Sequence, residues 1–390
     1  MYNDVVTQAS YRGAPAMKTI TEILGGAQML LPISYDIQHC FEEQLTNEHR
    51  FFISMLRVIE DAQPPISRPS ALTGRPAYQN EPMMRAQYAR NVLHIETVTD
   101  LHNRLLNDPN LRGICGFTSI PSPATFSRRY AEFSKNTLMI QTLNTMVHES
   151  YDGRIVGHIN RDSAPILTRE TPATRKRDTE SPPVLPQKRG RPRKGEVRPE
   201  KEPTQIEKQI EQSISISLSE LPTACAWGCK KNSQGNMATW KGYKLHLDIS
   251  DTGFPISAIV TGANVHDSQV AIPLEKMTEK KVQHLYSVMD AAYDAAPIAT
   301  YIKERGRIPL IDQNKRRGTE REPFSPSEKE RYKVRTTVER AYAHLKDWLL
   351  PEQIFVRGID KVSFLLMSGV VCLAAIKALQ YSILPALQRV

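Results

Sequence analysis

Two hydrophobic periods divide this chain. From Tyr35 to Ala62, in YDIQHCFEEQLTNEHRFFISMLRVIEDA, the apolar residues Phe41, Leu45, Phe52, Met55, Leu56 and Ile59 recur at intervals of three, four and seven, the spacing that lines one face of a helix. A second helical run is expected after the turn TGRPAY, from about Met83 through Leu106. IPSPATFSRRYAEF then reads as Pro- and Ser-rich punctuation opening a basic helix. The N-terminal third is therefore expected to be α-helical. Further on the period changes to two. YKLHLDIS (Tyr243 to Ser250) and FPISAIVTGA (Phe254 to Ala263) flank Asp251-Thr252-Gly253, the composition of a hairpin turn. HDSQVAIPLEKM reads as a helix, HLYSVMD as a strand, AAPIATYIKERG as a helix closed by Gly306, and RIPLID as a strand. This β-β-α-β-α-β order implies an α/β sheet with an antiparallel hairpin at one edge and parallel crossovers beyond it. A charged helix is expected from Ser325 to Leu350. The apolar run from Val362 to Ile376 falls short of a membrane span and is interrupted by Ser and Gly, so it reads as a buried helix.

Composition changes this picture at one place. Residues 169–201 hold eleven Lys/Arg, five Asp/Glu and six Pro with no aromatic residue, a composition unable to form a core. The chain as a whole has 390 residues and a net charge of +9; much of that excess lies in this segment, which points to a polyanionic partner. Five cysteines are too few and odd in number for a disulfide framework, and the start MYNDVVTQASYRG lacks a signal pattern. A reducing cytoplasm is the expected setting, with no membrane partner.

The sharpest chemical signal lies in RYKVRTTVERAYAHLKDW. On a regular helix Tyr332, Arg335, Glu339 and Lys346 fall within an arc of roughly 60°. An acid flanked by two cations and a phenol suits a metal ligand among phosphate clamps; a solvated helix with internal ion pairs is the competing reading. Asp290 ends the apolar run HLYSVMD, and Asp312 ends RIPLID. Both belong at the carboxyl ends of strands, where open α/β sheets place ligands. Carboxylates there and on a helix are what two-metal phosphoryl transfer requires.

The string YKVRTTVERAYAHLK resembles the Y-(2)-R-(3)-E-(6)-K signature of bacterial insertion-sequence DDE transposases. WKGYKLHLDIS, IVTGANVHDSQVAIPL, MDAAYDA, IPLIDQNKR and VRGIDKV are similar to that family's blocks, in the family's order. TGRPAY, LRGICGF and IPSPATFSRRY resemble the helical region that precedes catalysis in such enzymes. The resemblance implies an α/β RNase H-like catalytic domain, a mixed sheet flanked by helices, behind an α-helical N-terminal DNA-binding region over 1–150. It makes Asp290 and Glu339 catalytic, with Tyr332, Arg335 and Lys346 as phosphate contacts. The first catalytic Asp is best matched by Asp162 in GRIVGHINRDSAPI, with Asp248 and Asp267 as rivals. A first strand over 151–168, a disordered basic insertion over 169–220 and the remaining domain over 221–390 follow. The implied cofactor is Mg²⁺, with Mn²⁺ as a substitute, bound by Asp162, Asp290 and Glu339. The implied partners are double-stranded DNA, as element ends and target, and a second copy in the DNA complex. The implied reaction is metal-dependent nicking of the ends followed by joining of the 3′-hydroxyl to target DNA. A repurposed transposase that only binds DNA, and a nuclease without strand joining, are the other readings.

Within the basic insertion, Arg189-Gly190-Arg191-Pro192, followed by Arg193, resembles an AT-hook, narrow enough for the A·T minor groove. Cys225 and Cys229 invite a zinc reading but lack a second pair of suitable spacing, so free or buried thiols are expected. His246 and His266 read as structural, and Trp227 and Trp240 as packing residues, with base stacking the alternative.

Overall fold

The computed structural model describes residues 44–66, 78–172, 202–231, 235–314 and 323–387. The helical region comprises α1 (Asn47–Ala62), α2 (Asn80–Val92), α3 (Val98–Asn107), α4 (Pro109–Cys115), α5 (Pro123–Phe133) and α6 (Leu138–Tyr151). Thr46 starts α1 with a reciprocal cap: its hydroxyl accepts from the His49 amide, and the His49 ring accepts from the Thr46 amide. Residues 35–43 and most of TGRPAY lie outside the described residues. The run expected as one helix from Met83 to Leu106 is two. His94, at φ 51°, ends α2, and Thr97 caps α3 anew, since a left-handed residue cannot continue a right-handed helix.

The sheet contains β1 (Val156–Leu167), β2 (Ala226–Lys231), β3 (Met237–Ser250), β4 (Pro255–Gly262), β5 (His284–Met289) and β6 (Ile308–Ile311). Its order is β2-β3-β1-β5-β6, with β4 also on β3. The second half of β3 runs antiparallel to both β1 and β4, and its first half to β2. β5 is parallel to β1, and β6 to β5. β4, β3 and β1 in antiparallel pairing, continued by the parallel β5 and β6, are the RNase H-like arrangement, to which β2 is added on the first half of β3. The hairpin β3–β4 turns where expected, with Gly253 at φ 84°, a conformation that costs glycine nothing.

Part of the segment expected to be disordered, 169–220, is helical. α7 (Gln205–Glu211) and α8 (Ile214–Ser219) pack on α9 (Ser268–Glu279), the helix after β4. Thr204 and Glu207 form a capping box, Ile206 and Ile210 pack on one apolar cluster and Leu218 on another. The Lys276 ammonium donates to the carbonyls of Gln209, Ile210 and Gln212 at the end of α7. The Lys/Arg excess of the linker does not extend into this stretch, whose isoleucines have a surface to cover. The AT-hook-like residues Arg189, Arg191 and Arg193 lie outside the described residues.

α10 (Ala296–Glu304) links β5 to β6. The charged helix is segmented: α11 (Pro326–Tyr332), a 3₁₀ turn (Lys333–Arg335), α12 (Thr336–His344) and a π turn (Leu345–Leu349). The last helix, α13 (Ile359–Leu387), is long and apolar enough to cross a membrane, yet 83% of its most apolar window is buried inside the fold. A helix apolar on all sides belongs in a core. α13 packs on α1, α2, α5, α6 and β4, so the helical region and the sheet share one hydrophobic core. Polar contacts fix that seam: Gln87 and Asn91 of α2 meet Ser368 of α13, and the Asn91 amide donates to the Leu349 carbonyl at 2.8 Å.

Candidate active site at the middle of β1 and the end of β5

Alternation along β1 sends Arg161 and Asp162 to opposite faces of the sheet. Arg161 stands level with Met289, the last residue of β5, so Asp162, midway along β1, lies beside Asp290, which follows the end of the neighbouring parallel strand. Each commits one oxygen to a backbone amide: Asp162 Oδ1 accepts from Ser163 at 2.8 Å, and Asp290 Oδ1 accepts from Ala292 at 2.9 Å. Their other oxygens turn to a single nitrogen. Arg335 Nη2 lies 3.0 Å from Asp162 Oδ2 and 3.7 Å from Asp290 Oδ2. Nη1 of the same guanidinium donates to Glu339 Oε1 at 2.6 Å. One arginine thus joins all three acids, while its own Nε is buried without a hydrogen-bond partner.

Helix segmentation changes how these groups are presented. The 3₁₀ turn ends at Arg335 and tightens the helix just before α12, which carries Glu339. Lys346 lies in the π turn. The regular helical face expected for the four residues is therefore not what aligns them, although all four still border the site. The Tyr332 hydroxyl donates to the Met289 carbonyl at 3.3 Å; burial pushes its pKa up to about 12 against the pull of Arg335. Burial also lowers the Lys346 pKa, and the nearby Lys230 lowers it further, while Asp347 and Asp162 oppose both.

Asp162 is the most perturbed of the acids. Burial pushes its carboxyl up to about 6; Arg335 pulls it down, Asp290 pushes it up, and Lys230 pulls it down. Such a group is a costly anion awaiting a cation. Two hard oxygens turned on one point suit Mg²⁺. Glu339 reaches that point only through Arg335, and among the described residues no three His, Cys, Asp or Glu side chains form a ready metal cluster.

The rival acids are engaged elsewhere. Asp248 is fully buried, accepts two 2.7 Å bonds from Arg161 and one from Thr278. Asp267 pairs with Lys244 at 2.9 Å. Asp312, which follows β6, is instead beside the site: its amide donates to the Met289 carbonyl that also accepts from Tyr332. His246 is buried beside the Thr261 hydroxyl, its pKa pushed down to about 4 by burial. His266 Nδ1 lies 2.8 Å from the Ser268 hydroxyl. Trp240 donates to the Tyr243 carbonyl, whereas Trp227 is exposed. Cys225 is buried and Cys229 exposed.

Two residues at the site went unread in the sequence. Lys230 comes from β2, and its signal was only the Lys230-Lys231 pair after Cys229. The Tyr342 hydroxyl lies 2.8 Å from the carbonyls of both Asp162 and Leu245, tying α12 to β1; a tyrosine in a helix carries no signal of that kind.

Comparison with protein families gives two matches. Residues 211–374 match the transposase DDE domain, and residues 39–132 match the transposase domain described as DUF772. The chain belongs to the DDE transposases. Comparisons with curated proteins and with solved structures return no match. The DDE match spans Asp290, Tyr332, Arg335, Glu339 and Lys346, while β1 and Asp162 fall between the two matched segments. β1 nevertheless sits in the middle of the DDE domain's sheet, paired to β3 and β5. DNA is the partner, and metal dependence the general property, of this family.

Proposed function

We propose that this transposase cuts DNA at the ends of an insertion sequence and joins the freed 3′-hydroxyl to target DNA, with Asp162, Asp290 and Glu339 as its metal-binding acids. The observation that carries the reading is the convergence of Asp162 Oδ2, midway along β1, and Asp290 Oδ2, just past the end of β5, on one cation, Arg335. Mg²⁺, or Mn²⁺ in its place, supplies Lewis acidity to the attacking and leaving oxygens of the phosphodiester when held by those acids. The chain's own work is positioning. Arg335, Lys346 and Tyr332, the last fixed on the Met289 carbonyl, contact backbone phosphates of the cleaved end. Arg189, Arg191 and Arg193 add contacts in an A·T minor groove. A second copy holds the paired end, and the work is done in the cytoplasm, on the cell's own DNA.

The test is strand cleavage and joining on duplexes carrying the element's paired ends. Asp162→Cys should lose Mg²⁺-dependent nicking and regain part of it with Mn²⁺, whose softer character accepts a thiolate. Retained Mg²⁺ activity in that variant would remove Asp162 from the site. Nicking without joining in the wild type would leave a nuclease.

A further inference from the structure

We infer that Arg335 is a stand-in for the catalytic metal, making metal binding depend on DNA. This rests on the metal-binding role proposed for the three acids and concerns what holds them before DNA arrives. A phosphate clamp waiting for DNA has no need to touch all the acids of the site. Arg335 does: it meets Asp162 at 3.0 Å, Asp290 at 3.7 Å and Glu339 at 2.6 Å. Its Nη2 occupies the point on which the two aspartate oxygens converge. A divalent cation cannot share that point with a guanidinium, because both need the same lone pairs and their charges repel.

The way the arginine is held suits a group that leaves. Arg335 is 20% exposed and Glu339 is 53% exposed, so the outer half of the contact opens to solvent without disturbing the core. Its Nε is buried and unbonded, so the inward position satisfies only part of the donor set. A DNA phosphate offers a bidentate alternative to the same fork. When the guanidinium turns to that phosphate, Asp162 and Asp290 lose their cation together, and burial leaves Asp162 in want of another. DNA and metal therefore bind with positive coupling, and by linkage each strengthens the other by the same factor. In the absence of DNA the acids stay capped, and the transposase carries no armed metal site.

Binding of Mn²⁺, followed by the paramagnetic resonance of the free ion, tests this without any turnover. The probe is a duplex carrying the element's terminal sequence. In the wild type that duplex should tighten Mn²⁺ binding by roughly tenfold or more. Arg335→Gln should bind Mn²⁺ more tightly than the wild type when no DNA is present, and the duplex should add less than about threefold. Weaker or unchanged DNA-free binding in Arg335→Gln would overturn the inference and leave Arg335 a phosphate contact alone. Arg335→Lys retains the charge but not the fork, so a smaller gain of the same sign is expected, and it serves if the glutamine variant does not fold. Asp290→Asn separates the two levels of argument: if it leaves Mn²⁺ binding unchanged, the metal-binding reading itself is wrong. If it abolishes Mn²⁺ binding while Arg335→Gln shows no gain, only the coupling is wrong.

Discussion

Arg161 and Asp162 are neighbours on β1, and each belongs to a cluster of acids around one arginine, on opposite faces of the sheet. On the face covered by α9, Arg161 is fully buried and uses all three nitrogens: Nε and Nη2 on Asp248, Nη2 also on Glu275, Nη1 on the Ala271 carbonyl. Glu275 is shared further with His284, Ser287 and Arg307. Despite burial, the charges of Arg161 and His284 hold the Glu275 carboxyl well below the usual carboxylate range. On the other face Arg335 has three acids and an unbonded Nε, Asp162 is pushed up to about 6, and Glu339 is half exposed. The same residue types make a fixed strut in one place and a poised site in the other. The difference lies in the arginine: Arg161 spends every nitrogen inside the fold and has nothing to offer a ligand, whereas Arg335 keeps one unbonded.

The comparison breaks first at Arg161. Its replacement by Met strips the buried Asp248 of its ion-pair partner and Glu275 of one of its cations, and should cost at least about 3 to 5 kcal/mol in urea denaturation. A loss below about 1 kcal/mol would mean that the network is not the strut it resembles.

The two faces should next respond with opposite sign to the same chemical change. Asp248→Asn removes an ionised partner from a buried guanidinium and should destabilise the fold by about 2 kcal/mol or more. Asp162→Asn removes an anion that the fold disfavours. With the carboxyl raised from 3.8 to about 6, at roughly 1.4 kcal/mol per pKa unit, the gain at pH 7 is about 2 to 3 kcal/mol. Nicking should vanish in the stabilised protein. The pH dependence follows with its sign. An acid whose folded pKa is raised takes up its proton more readily when folded, so its contribution is most favourable at low pH and is lost as pH rises from about 4 to about 6. The stability difference between Asp162→Asn and the wild type should therefore grow across that window and be flat above it. Glu275 runs the other way, its contribution present at neutral pH and lost as acid protonates it. A difference between Asp162→Asn and the wild type that did not change between pH 4 and 7 would show that Asp162 is not held as an unfavourable anion.

Much of this was legible in the sequence, for a physical reason. Strands and helices of the sheet obey their periods because each buries a face, so the β-β-α-β-α-β order and the hairpin at Gly253 could be read directly. Asp290 was legible because it ends an apolar run. The local signals at Thr204 and Glu207 for α7 were also present, but charge composition outweighed them in reading 169–220. What pattern could not carry is partnership. Asp248 and Asp162 sit on comparable strands, and only the register of β1 on β3 tells which face receives Arg161. The segmented helix was equally hidden, because a 3₁₀ turn and a π turn arise from packing rather than from residue type. Arg335 was visible as a cation beside an acid, but not as the group that joins three.

The smallest expected change in stability makes the sharpest contrast. Glu339 is 53% exposed and its contact within the fold is an i,i+4 pair to Arg335 on one helix. Such a pair contributes about 0.3 to 0.5 kcal/mol, so Glu339→Gln should melt within about 0.5 kcal/mol of the wild type. The amide still accepts from Arg335 but no longer offers a charged oxygen to a cation. Binding to element ends should therefore persist with its salt dependence unchanged, since no phosphate contact is removed, while nicking falls below detection. Arg335→Ala and Lys346→Ala should instead flatten the dependence of binding on log salt by about one unit per contact. If Glu339→Gln melted as early as Asp248→Asn, the open cluster would be as structural as the buried one, and the division of labour across β1 would fail. If it kept its nicking, Glu339 would be only a surface partner for Arg335, and Asp162 and Asp290 would have to act without it.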